Sequence, residues 1–92
     1  MDSIIKKTYT IDNEPRLVND ANQIMGSIIM EANPNIAWSN LPIEYPNEYG
    51  GILFTTKNYY YVSQMFIQSY TNEMWIRTWF EDWTQWRKLS MQ

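Results

Sequence analysis

Ninety-two residues without cysteine or histidine describe at most one domain, with no disulfide, no thiolate metal site and no imidazole base. A net charge of −3 and a pI near 4.7, with the basic residues scattered apart from Lys6-Lys7 and Arg87-Lys88, argue against nucleic-acid binding. No apolar run approaches the ~20 residues of a membrane span, and MDSIIKKTYT lacks the pattern of a signal peptide, so a soluble product made in the cytoplasm is expected.

A chain this short buries a modest core and leans on oligomerisation or attachment to something larger. Residues 1–19 read as an attachment arm. SIIKKTYTI suits one strand with Ile5, Lys7, Tyr9 and Ile11 on one side; a flexible leader is the alternative. Residues 14–31 admit two readings. Leu17, Ala21, Ile24 and Ile28 form a helical stripe, with Pro15 suited to a first turn. Gly26 opposes it, and a short helix or turn followed by a buried strand SIIM is the other possibility. The stretch EANPNIAWSNLPIEYPNEYGG is loop by its prolines and glycines. It also carries Ile36, Trp38, Leu41, Ile43 and Tyr45, which predicts a loop packed onto the domain.

From Gly51 onward the pattern is β. ILFTT, a KN turn, YYYVSQMFIQSY, a TN turn, EMWIRTWF, an ED turn and WTQWRKL predict an antiparallel meander of three or four strands. With Thr71-Asn72 as a two-residue turn, Ile67 faces Ile76 and Met65 faces Thr78 on an aliphatic face that reads as core. Phe66 then faces Arg77, Gln68 faces Trp75 and Gln64 faces Trp79 on the other.

These segments, in order, resemble the pyocin-knob-like domain at the ends of bacteriophage tail fibres and related adhesins. The resemblance rests on Asn40-Leu41-Pro42, Gly51, Gln64, Arg77 and the closing Trp83-x-x-Trp86, preceded by DANQIMGSIIM, and it covers residues 20–89. The chain departs from that pattern between Asn22 and Gly26, which is shorter than usual, and at Glu81-Asp82, which lacks the usual glycine or asparagine. The resemblance favours a strand beginning at Gly26. It implies an all-β knob (residues 20–92) carried on an N-terminal arm (residues 1–19) that contacts other virion proteins. It also implies non-enzymatic recognition of host surface polysaccharide, often within a homotrimer.

The residues suggest no catalytic constellation. Glu81 and Asp82 are adjacent on a turn, and nothing places two carboxylates at the separation of a glycosidase pair. No enzymatic activity, cofactor, metal, nucleic acid or membrane insertion is expected. Gln64 and Arg77 read as a hydrogen-bonded tie between neighbouring strands, with the guanidinium stacked on Trp75 or Trp79; a ligand contact is the competing reading. Trp75 and Trp83 read as core. Trp83 and Trp86, three apart, face opposite ways in a flat strand. Tyr60, Tyr61, Trp79 and Trp86 are the candidate ligand or partner surface. Host attachment as part of a tail or head fibre is the preferred function. A purely structural decoration or joining protein of the virion comes second, and a cellular carbohydrate-binding module third.

Overall fold

The computed structural model describes residues 11–12, 19–44 and 49–89, the first pair by backbone alone. The strands are β1 (Ile11–Asp12), β2 (Ile28–Ala32), β3 (Gly51–Asn58), β4 (Tyr61–Gln68), β5 (Met74–Phe80), β6 (Asp82–Trp83) and β7 (Arg87–Leu89). All belong to one sheet. β2 to β5 run as an antiparallel meander, as the alternation predicts. β6 and β7 both pair antiparallel with β5, near its two ends, and β1 adds a parallel pair at the β2 edge. Most of the arm at residues 1–19, including the strand expected in SIIKKTYTI apart from Ile11, lies outside the described residues, as does Tyr45.

The segment before β2 is not a helix within its described part. Asp20 caps a single 3₁₀ turn, Ala21–Gln23, its side chain accepting a hydrogen bond from the Asn22 N–H at 2.9 Å. The chain is extended again by Ile24, bends at Gly26 and enters β2 at Ile28. Ala21, Ile24 and Ile28 still reach the core, but from a turn and a strand rather than one helical face.

Three turns differ from expectation. Between β5 and β6 only Glu81, at a φ of 67°, lies outside the strands, because Asp82 belongs to β6 and pairs with Phe80. Lys57 and Asn58 are the end of β3, and the hairpin turn is Tyr59-Tyr60, with Asn58 paired to Tyr61. The next connection is a five-residue loop, Ser69–Glu73, rather than a two-residue turn at Thr71-Asn72. Its closure is Gln68 N–H to the Glu73 carbonyl (2.9 Å) and Asn72 N–H to the Gln68 carbonyl (3.0 Å). The β4–β5 register therefore slides by two residues. Gln64 lies opposite Arg77, Phe66 opposite Trp75, Met65 opposite Ile76 and Ile67 opposite Met74. A shift of two preserves the face of every side chain.

The core lies on the opposite face from the one expected. Met30, Ala32, Leu53, Phe66 and Trp75 are buried together, on the face that also carries Thr55, Gln64, Gln68 and Arg77. The aliphatic face bearing Ile52, Phe54, Met65, Ile67, Met74 and Ile76 is only half-buried. What decides between them is the cover. The 3₁₀ turn and residues 33–44 lie over the first face, and Trp38 there is 8% exposed with Leu41 and Ile43 packed beside it. Backbone bonds fix this cover in place: Ala21 N–H donates to the Ser39 carbonyl (3.0 Å) and Ser39 N–H to the Asn19 carbonyl (2.8 Å). In its described part the apolar loop is packed through Trp38, Leu41 and Ile43, as its composition predicts, while Ile36 is exposed.

Gly51 opens β3 under the Phe66 ring. A Cβ there would lie 2.4 Å from the Phe66 Cζ and 2.6 Å from the Ile67 carbonyl oxygen. Gly26, by contrast, has nothing within 4 Å of a Cβ. Gly51→Ala is therefore expected to destabilise the fold by about 1–3 kcal/mol, and Gly26→Ala to stay within about 0.5 kcal/mol of the parent. Urea unfolding followed by tryptophan fluorescence checks both. Equal effects would contradict the packing described at Gly51.

Candidate functional site

The chain brings its polar motif residues to one buried point. Gln64 is 1% exposed and Arg77 7%. They sit opposite one another on β4 and β5, and the Arg77 Nε donates to the Gln64 Oε1 at 2.8 Å. The Gln64 amide nitrogen donates in the other direction, to the Ala21 carbonyl (2.9 Å), the Ile24 carbonyl (3.2 Å) and the Thr55 hydroxyl (3.3 Å). One side chain thus joins β3 and β5 to the 3₁₀ turn that covers the core.

The guanidinium is held between two indoles. Its central carbon lies 3.8 Å from the Trp83 ring centroid and 4.5 Å from that of Trp86. The partners are therefore Trp83 and Trp86, not Trp75 or Trp79. In a continuous strand two residues three apart would point to opposite sides. Here residues 84–86 leave the ladder between β6 and β7. Thr84 anchors the break: its N–H donates to the Thr78 carbonyl (2.9 Å) and its hydroxyl accepts from the Thr78 N–H (3.0 Å). The break turns Trp86 back onto the same cation as Trp83.

Trp86 then extends the network. Its indole N–H donates to the Asn40 carbonyl at 2.8 Å, and the Asn40 amide donates to the Asp20 carboxylate at 2.7 Å. Asn40 holds a φ of 64°, a left-handed conformation that asparagine tolerates better than most residues. Burial pushes the Arg77 pKa down to about 10, partly opposed by the charge of Asp20, so the guanidinium remains a cation at neutral pH. Its Nη2 is buried with no hydrogen-bond acceptor among the described residues. The two π faces supply the electrostatic compensation instead. Apart from that Nη2, the polar side-chain groups described here bond one another or nearby backbone, which suits them to holding structure.

A second feature lies at the end of the sheet. Tyr59 is 85% exposed and Tyr60 67%, on the β3–β4 turn, with their ring centroids 5.2 Å apart. Tyr61 and Phe80 follow on the half-buried face, also exposed and 5.1 Å apart. Tyr59 has a φ of 63° while Tyr60 does not enter positive φ, the pattern of a type II′ turn. That first position favours glycine, and a bulky side chain in it costs about 1–3 kcal/mol.

Of the four residues expected to form a surface, Tyr60 and Tyr61 are exposed at this end. Trp79 lies across the sheet from them, opposite Val62 and paired with Trp83, and Trp86 covers Arg77. The four do not form one surface. Tyr59 and Phe80 join the exposed cluster instead. A turn placed at Tyr59-Tyr60 rather than Lys57-Asn58 would have found Tyr59.

Among the described residues no group of three or more carboxylates could hold a metal ion, and no helix is long and apolar enough to cross a membrane. Comparison with protein-family models, curated proteins and solved structures finds no match to this chain.

Arg77→Lys keeps the charge but removes the planar stack and the fixed Nε donor. It is expected to cost about 2–3 kcal/mol, whereas Trp86→Phe, which keeps a ring and loses the bond to Asn40, costs about 1 kcal/mol. Chemical denaturation of both variants is the check. A neutral Arg77→Lys would mean that charge alone matters at this position.

Proposed function

We propose that this protein is a non-enzymatic attachment module of a bacteriophage particle. It binds host surface polysaccharide through the aromatic end of its sheet. The observation that carries the reading is the cluster of Tyr59, Tyr60, Tyr61 and Phe80, exposed at one end of the sheet around a tight, strained turn. Flat aromatic faces presented to solvent suit the apolar faces of sugar rings, and a short hairpin loses little entropy on binding.

The phage setting is supported by the resemblance to the knob-like domain. The positions that carry it are far apart in sequence, yet Asn40, Gln64, Arg77, Trp83 and Trp86 meet in one hydrogen-bonded and stacked network. Within this framework Trp83 and Trp86 are engaged in packing, which leaves the tyrosines as the contact surface.

The test is binding of the protein, biotinylated and displayed on streptavidin, to immobilised bacterial surface polysaccharides. Multivalent display is needed because single-site sugar binding is weak. At least one polysaccharide is expected to bind, with Tyr60→Ala reducing retention about tenfold. No binding across a broad panel, or full retention by both Tyr60→Ala and Phe80→Ala, would refute the reading.

A further inference from the structure

The half-buried face of the sheet is apolar and continuous. Ile29, Phe54, Met65 and Ile76 form one cross-strand row, and Ile52, Ile67, Met74 and Leu89 form the next. Each is half-buried. A groove of about 260 Å³ runs over Phe54, Thr56, Ser63, Met65, Ile76 and Thr78. The described cover (the 3₁₀ turn, Trp38, Leu41 and Ile43) is spent on the opposite face. A sheet with an apolar face is stable when a second layer covers it.

Two exposed charges of opposite sign flank these rows, inside β1 on one side and beside β5 on the other, where Asp82 stands farther along on β6. Glu31, on β2, extends the Ile52 row at one side, and Arg87, on β7, extends the Ile76 row at the other. Both are exposed. We propose that the face is covered by the same face of a second copy of this chain, forming a two-layer sandwich about a two-fold axis parallel to the strands. Such an axis exchanges the left and right margins, so Glu31 of each copy meets Arg87 of the other. The two lie one side-chain step apart along the strand, ~7 Å, which the arginine stem spans. An axis across the strands would instead set Glu31 against Glu31 and Arg87 against Arg87.

The size is adequate. With a strand spacing of ~4.8 Å and a rise of ~3.4 Å per residue, β2 to β5 and β7 together present roughly 500 Å² per copy. The total of roughly 1,000 Å² is at the threshold for a specific interface, which predicts weak, concentration-dependent pairing. The inference does not depend on sugar binding. It has a consequence for it: Tyr61 and Phe80 stand on the pairing face, so in the pair the sugar contact falls to the Tyr59-Tyr60 turns, which an axis parallel to the strands leaves at the same end.

Sedimentation velocity of the full chain over a range of concentrations is the test. The expected result is a shift from 11.1 kDa towards twice that mass. Met65→Lys, at the centre of the face, is expected to remain monomeric with an unchanged circular dichroism spectrum. Glu31→Arg is expected to weaken pairing about fivefold at low salt, and the Glu31→Arg/Arg87→Glu double swap to restore it. If Met65→Lys fails to fold, Ile67→Glu serves the same purpose, and the charge-swap series stands without either. A monomer at all concentrations, a species at three times the mass, or a swap that does not restore pairing would overturn the proposal.

Discussion

A buried cation governs this fold. Taking a guanidinium out of water is costly, and the cost is offset only where a good acceptor and favourable π faces are held in place around it. Arg77 has Gln64 as its acceptor and Trp83 and Trp86 as its walls. Each of these partners constrains something else. Gln64 can meet Arg77 only if β4 and β5 pair in their observed register. Trp86 can meet it only if the chain breaks from the ladder after Trp83, and in that position its indole N–H bonds Asn40 and so holds the covering loop. The same glutamine bonds the carbonyls of Ala21 and Ile24. One charge therefore links the first described turn, the loop, two central strands and the closing strands.

This arrangement explains which parts of the fold are legible in the sequence. β3, β4 and β5 are visible because alternation and β-branched or aromatic content report directly on a pleated ladder. The side-chain parity of each strand is equally visible, and survives the two-residue register error because that error is even. The identity of the core face is not visible. Hydropathy ranks Ile52, Met65, Ile67 and Ile76 above Gln64, Gln68 and Arg77, yet the polar set is the buried one. Burial here is decided by what lies on top, and the cover comes from residues 20–43, distant in sequence and held partly by the polar groups themselves. Trp83 and Trp86 illustrate the same limit. Their spacing predicts opposite faces, and a one-residue change of register along β5, between the Trp79–Trp83 and Ile76–Arg87 pairs, brings them together.

The arrangement also divides labour among the aromatics. Trp38, Trp75, Trp83 and Trp86 are engaged in packing or stacking inside the covered half of the domain. The residues left for contact with other molecules are those the network does not use. They include the tyrosines of the β3–β4 turn with Phe80 beside them, the stacked Tyr49 and Tyr70, and the aliphatic rows of the other face. The turn cluster is small, aromatic and held on a strained turn, which suits recognition. The aliphatic face is broad and bordered by opposite charges, which suits self-association. Both surfaces lie apart from the Arg77 network, an arrangement consistent with the attachment role and the pairing proposed above.

The central claim is that Gln64 and Arg77 act as one unit. A double-mutant cycle tests it directly, using Gln64→Leu, Arg77→Met and the double variant, with unfolding free energies from urea titration. Each single change leaves a buried polar group without its partner, whereas the double change removes both groups. The account predicts a coupling of about 1.5–3 kcal/mol, with the double variant less destabilised than the sum of the singles. Additivity within about 0.3 kcal/mol would show that the two side chains stabilise the fold independently, and would contradict it.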